Sequence, residues 1–214
     1  MTHFAPTPSH VRVRHVLCLA GSLRRDSWNL HLLHAAADLA PASLQLHVYE
    51  RLSDVPLFDE DLEQREAAGP AGVQALRAAV AAADGVIIAT PEYNHAMPGV
   101  LKNALDWLSR EHPAGEVLQE KPLGALGASS GPWGTRLAQA SLRQVLHTCG
   151  ALVMPGPAVF VANAASRFDA DGRLTDTAIV QSLQRFVLAF GQWIERVAPA
   201  ASILDPAPKP ALAR

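Results

Sequence analysis

Two cysteines in 214 residues leave no room for a disulfide framework. Cys18 and Cys149 both fall inside predicted buried elements and match no metal-ligand spacing, so a reduced, cytoplasmic setting is expected. Charge of one sign is also scarce. Eighteen Lys and Arg against 20 Asp and Glu give a formal net charge of −2, which offers no general attraction to nucleic acid or to an anionic membrane. No apolar run approaches the roughly 20 residues needed to span a bilayer. The first ten residues, with His3, Pro6, Pro8 and His10, lack the basic start and apolar core of a secretory signal. Nine histidines are scattered without a metal-binding constellation. What is abundant is apolar side chain, 49% of the chain against 18% charged. That composition suits one large domain with a sizeable core, and no compositional break argues for two.

The apolar pattern orders the chain. Residues 11–20 read as a first strand, continuously apolar toward its end, as a strand covered on both faces should be. Leu30, Leu33 and Ala37 then recur at helical spacing from Ser27 to about Leu39, and Pro41 stops that helix. Leu44 to Val48 alternates as a short second strand, and 50–69 reads as a long loop. Gly69-Pro70 opens a helix carrying Val73, Leu76 and Val80. Strand three is Val86 to Thr90, and Pro98 opens a helix with the stripe Leu101, Leu105 and Leu108. Leu123 to Ala128 is strand four. Thr135 to Cys149 is an amphipathic helix capped by Gly150. Strand five has two candidates, Ala151–Met154 and Ala158–Val161, on either side of Pro155-Gly156-Pro157. A last helix runs from Asp176 to about Val197, and the Pro-rich tail beyond it is expected to be loose.

Strands alternating with helices imply right-handed crossovers and a parallel sheet. Five of them suit a flavodoxin-like three-layer α/β sandwich of order 2-1-3-4-5, spanning 11–198 as one domain with loose termini at 1–10 and 199–214. The switch point of that order lies between strands one and three, where ligands bind at the carboxyl ends.

Two motifs stand at those two ends. Gly21-Ser22-Leu23-Arg24-Arg25-Asp26-Ser27-Trp28-Asn29 follows strand one. Gly21 permits a close turn, Ser22 and Ser27 supply hydroxyls, and Arg24 supplies a guanidinium. The helix starting near Ser27 adds its N–H groups, which together suit a phosphate monoester. Asn29 either donates an amide or holds the loop. The plainer reading is a strand-to-helix turn with Ser27 as N-cap. Neither G-x-G-x-x-G nor G-x-x-x-x-G-K-[ST] is present, which removes the main support for dinucleotide-fold and P-loop readings. Pro91-Glu92-Tyr93-Asn94 follows strand three. Tyr93 can pack on a flat ring, Asn94 can bond its edge, and Glu92 is either a ring contact or a structural partner for a nearby group. After strand four, Ser129 and Gly131 could complete a ring pocket. His95 reads as a rim residue, Trp107 and Leu108 as core or interface, Arg136 and Arg143 as solvated, and Cys18 as inert packing.

Gly21-Ser22-Leu23-Arg24 with Ser27 and Asn29, then Pro91-Glu92-Tyr93-Asn94, and the run from Pro98 to Arg110 together resemble the NADPH-dependent FMN reductase family, which includes quinone, chromate and azo-dye reductases. The likeness extends from about residue 12 to about 197. It implies that Ser22, Arg24, Ser27 and Asn29 hold the FMN phosphate. It further implies that Pro91, Glu92, Tyr93 and Asn94 line the isoalloxazine, with Ser129 and Gly131 on its other edge. The expected activity is hydride transfer from NAD(P)H through flavin N5 to a small-molecule acceptor (a quinone, azo compound or metal oxyanion) in a ping-pong cycle. A homodimer or homotetramer is implied, with no side chain marked as a catalytic acid or nucleophile. A flavodoxin-like electron carrier and a flavin redox sensor are the competing readings; the near-neutral charge speaks against a carrier with an acidic docking face.

Overall fold

The computed structural model describes residues 12–65, 69–112 and 115–197. The termini expected to be loose, 1–10 and 199–214, lie outside the described residues. The strands are β1 (Arg14–Ala20), β2 (Leu44–Tyr49), β3 (Gly85–Ala89), β4 (Pro122–Ala128), β5 (Leu152–Val153) and β6 (Val159–Val161). The helices are α1 (Trp28–Asp38), α2 (Glu60–Arg65), α3 (Ala71–Ala82), α4 (Gly99–Leu108), α5 (Arg136–Thr148) and α6 (Thr177–Val197). The sheet is parallel with order β2-β1-β3-β4-β5, and β6 also pairs with β4.

The fifth place in the sheet is therefore shared. β5 pairs with the start of β4 (Pro122 opposite Leu152) and β6 with its end (Leu126 opposite Val159). Pro155 and Pro157 between them lack N–H donors, so one continuous ladder cannot form there. Both segments read as alternatives in the sequence are strands. Residues 50–69 are not wholly loop: Leu52–Asp54 is a turn of 3-10 helix, and α2 follows.

Side chains alternate across the sheet. Val16, Cys18, Ile87 and Leu126 face α1 and α6; Leu17, Leu19, Val86, Ile88 and Leu123 face α3, α4 and α5. In the first layer Phe186 and Phe190 of α6 are fully buried and stacked at 6.4 Å between centroids. In the second, Trp107 is buried, and its Nε1 donates to Pro56 O at 2.8 Å, which assigns it to the core. Cys18 is equally enclosed, and burial pushes its thiol up to about 12, consistent with an inert packing residue. Gly150 takes φ 70°, and Ala151 N donates to Leu146 O, closing α5 as its sequence suggested.

At the amino ends of the strands, charged groups satisfy one another. Arg14 Nε donates to Glu195 Oε1 at 2.6 Å, and its Nη1 to Asp84 Oδ1 at 3.0 Å. Asp84 Oδ2 accepts from the His15 amide at 2.8 Å, and Lys121 Nζ donates to Ala83 O at 2.7 Å. Burial alone would raise the Asp84 carboxyl; the His15 amide and Arg14 outweigh it and hold the group below its ordinary value.

Candidate functional site at the carboxyl ends of the sheet

The loop after β1 turns under the end of β3, where Gly21 N donates to Ala89 O at 2.8 Å. A Cβ on Gly21 would stand 3.1 Å from Leu101 Cδ2 and 3.3 Å from the Pro91 ring, so glycine lets the two loops approach this closely without displacing those side chains. Ser22 Oγ accepts from Arg24 N at 3.3 Å, and the Arg24 guanidinium donates to Asp26 O at 3.2 Å, curling the loop on itself. Ser27 caps α1: its backbone is extended, and its Oγ accepts from Asn29 N at 3.3 Å. No acidic residue lies in the first turn of α1, which leaves its N-terminal amides free of an internal carboxylate, with Asp26 just before the cap.

Asn29 settles as a structural tie. It is 2% exposed; its Nδ2 donates to Ala128 O and its Oδ1 accepts from Ala128 N, both at 2.9 Å. Of the two roles open to it in the sequence, it holds the loop, locking the start of α1 to the last residue of β4.

The loop after β3 is equally well defined. Tyr93 and Ala96 exchange backbone hydrogen bonds at 3.0 Å around Asn94 (φ 50°) and His95 (φ 63°), a tight turn with both central residues left-handed. Tyr93 is half exposed at its base. The Glu92 carboxylate accepts from Leu137 N and Ala138 N, both at 2.9 Å, and so caps α5, whose own N-cap residue, Thr135, makes no side-chain bond to the helix backbone. This is the structural partnership, with backbone groups as the partner. His95 Nδ1 stands 3.8 Å from Glu92 Oε1, and its side chain is solvent-facing.

After β4, Ser129 Oγ donates to Gly134 O at 2.7 Å, while its backbone bonds Val161 and Ala164. Gly131 O accepts from Asn163 N at 3.0 Å. Of the two arginines read as solvated, Arg136 is exposed and Arg143 is half-buried. Arg136 lies over the Phe160 ring at 4.5 Å, and Arg143 donates to Met154 O at 2.8 Å, with burial lowering its basicity. Arg143 is drawn in because the chain around β5 packs beside α5, a long-range contact that helical spacing alone does not reveal.

Ser22, Arg24, Ser27, Asn29, Pro91, Glu92, Tyr93 and Ser129 all line one crevice of about 100 Å³. Asn94 and Gly131 lie beside it, on the tip of the Tyr93 turn and on the loop after Ser129. Trp28, Ala128 and Ser130, to which the sequence reading gives no role, complete the lining. Trp28 is fixed there by stacking on Phe168 at 5.3 Å. The donor set of two hydroxyls, a guanidinium and a helix N-terminus fits a phosphate monoester. The volume fits only that end of a flavin nucleotide, since small-molecule pockets run to roughly 300 Å³ and above. The Tyr93 turn borders this crevice and leaves the Tyr93 side chain half exposed. Among the described residues no group of three or more His, Cys, Asp or Glu is placed to hold a metal, and no helix is long and apolar enough to cross a membrane.

Comparison with known proteins agrees with this geometry. The chain is 39% identical over 183 residues to an NAD(P)H-dependent FMN reductase from Pseudomonas aeruginosa, covering 85% of this chain and 96% of the relative. It is 38% identical over 183 residues to a quinone reductase from Escherichia coli K12, with the same shares covered. The solved structure of FerB, a flavoenzyme NAD(P)H:(acceptor) oxidoreductase from Paracoccus denitrificans, superposes with a TM-score of 0.77 at 36% identity, over 86% of this chain and 98% of that one. The family model described as NADPH-dependent FMN reductase matches residues 14–166, from the first residue of β1 through every loop of the crevice, and the chain belongs to that family.

Proposed function

We propose that this chain is an FMN-dependent NAD(P)H:quinone oxidoreductase whose reductase domain spans 11–198. The observation that carries the reading is the meeting, at the β1–β3 switch point, of a phosphate-shaped donor set with a turn that presents a half-exposed Tyr93. Ser22, Arg24 and Ser27 hold the phosphate, and Asn29 positions that loop through Ala128. Pro91, Glu92, Tyr93 and Asn94 form one side of the ring site, with Glu92 acting through α5. Ser129 and Gly131 form the other edge.

Bound FMN supplies the redox chemistry, taking hydride from NAD(P)H and delivering two electrons to an acceptor. The protein's part is placement. Pro91 and the left-handed Asn94–His95 pair fix the turn, whose backbone amides would donate hydrogen bonds to the edge of a bound flavin. Such fixed dipoles favour negative charge on the ring without reorganising. The open face takes donor and acceptor in succession, a ping-pong order that accommodates quinones and also azo compounds and metal oxyanions. A second copy of the chain closes the shallow crevice from outside, as a homodimer or homotetramer in the cytoplasm.

The test is anaerobic. Protein loaded with FMN and freed of excess should bleach in its visible flavin band when NADPH or NADH is added, and a quinone should restore the colour. Bound flavin that stays yellow would assign the chain to the carriers or sensors.

A further inference from the structure

The loop Ser22–Arg25 has a second cavity on its other side, toward the chain that leaves β2. Its volume is about 310 Å³, three times that of the phosphate crevice, with which it shares Ser22 and Arg24. Arg24, Arg25, Glu50 and Ser53 supply its polar lining, and Leu30 and Leu52 an apolar wall. Arg25 is exposed and lines this cavity but not the phosphate crevice. Tyr49, also in the wall, has a buried hydroxyl without a hydrogen-bond partner among the described residues, a situation that folded proteins rarely leave unfilled.

The arrangement is chemically specific. A cavity of this size with an apolar wall suits a purine and ribose. Glu50 stands just past the carboxyl end of the second strand, beside the loop of the first. A carboxylate there accepts hydrogen bonds from a vicinal ribose diol and repels a phosphate, while a neighbouring arginine attracts the phosphate. Arg25 and Glu50 thus pull in opposite directions on one substituent.

We propose that this cavity receives the adenosine end of the pyridine nucleotide, with Arg25 on the 2′-phosphate of NADPH and Glu50 on the ribose hydroxyls of NADH. The pair sets the balance between the two donors. The proposal rests on the reading that the adjoining crevice holds FMN, so that the nicotinamide reaches the ring across the shared Ser22–Arg24 wall.

FMN-loaded wild type, Arg25→Ala and Glu50→Gln are compared with NADPH and with NADH against one quinone, and each is titrated calorimetrically with 2′,5′-ADP, which carries the phosphate but no hydride. Arg25→Ala should lower kcat/KM for NADPH about ten-fold through KM, the loss of one charge-assisted contact. It should weaken 2′,5′-ADP by the same factor and leave NADH turnover and FMN affinity unchanged. Glu50→Gln should move the NADPH-to-NADH ratio the opposite way. An unchanged ratio in Arg25→Ala, or an equal loss for both donors, overturns the proposal. Failure of the FMN reading shows separately, as wild type that binds no flavin. The 2′,5′-ADP titration then still decides: binding that Arg25→Ala weakens upholds the cavity, and absent or unaltered binding refutes it.

Discussion

The two ends of the sheet use polar side chains in opposite ways. At the amino end Arg14, Asp84 and Glu195 close on one another, and Lys121 on a carbonyl. At the carboxyl end Asn29 and Glu92 tie separate segments together, both through backbone groups. Ser22, Arg24, Ser27 and Tyr93 are left lining a crevice. The difference separates a frame from a receptor: charges that neutralise each other stabilise a fold, and donors aimed at a cavity await a ligand.

The sharpest way to break this comparison is to cut the tie inside the receptor end. Asn29→Leu leaves the buried Ala128 N–H and C=O without partners, so a loss of about 3 kcal/mol is expected from two orphaned groups. Chemical denaturation would measure it, and FMN retention should fall with it. Arg24→Ala should separate binding from folding. Flavin affinity should weaken on the order of ten-fold or more, the worth of one hydrogen bond to a charged group, while the denaturation midpoint stays put. A midpoint that drops as far as the affinity would place Arg24 in the frame.

At the amino end the expectation reverses. Asp84→Asn should cost about 1–2 kcal/mol at pH 7 and leave FMN affinity alone. Because the Asp84 carboxyl is held below its ordinary value, the stability it adds is present above about pH 4 and lost as pH falls through the lowered value. The penalty of the substitution should therefore shrink in acid, and urea titrations at pH 7 and pH 3 would show it. The smallest effect is expected from Glu92→Gln. A neutral amide oxygen can still accept from the start of α5, so a loss of about 0.5–1 kcal/mol follows from the missing charge alone, read as a small shift in thermal midpoint.

Much of this architecture was legible because buried parallel strands announce themselves as unbroken apolar runs, as at Val16–Ala20 and Val86–Ala89. The loops at their ends could be read for chemistry because the strand order places them together. Short elements were harder. α2 carries Leu62 as its one half-buried apolar residue, so no stripe marks it. Its signal lay in Asp59, whose Oδ1 accepts from Asp61 N, followed by the acidic first turn Glu60 and Asp61. The shared fifth strand position is ambiguous in sequence because two short apolar segments have no periodicity to choose between them. The inward duty of Asn29 had no local sign at all, since its partner lies 99 residues away. The role of Trp28 has no local sign for the same reason, its stacking partner Phe168 being distant in the chain.

The Glu92 contact with α5 has a consequence for how this fold diversifies. Since that carboxylate and Asn29 fasten the two loops from within, the exposed side chains at the rim, His95 on the turn and Trp133 on the loop after β4, carry little of the frame. They are free to be exchanged. A chain so built can acquire a new electron acceptor by altering its rim one residue at a time, without first re-solving the problem of holding its cofactor.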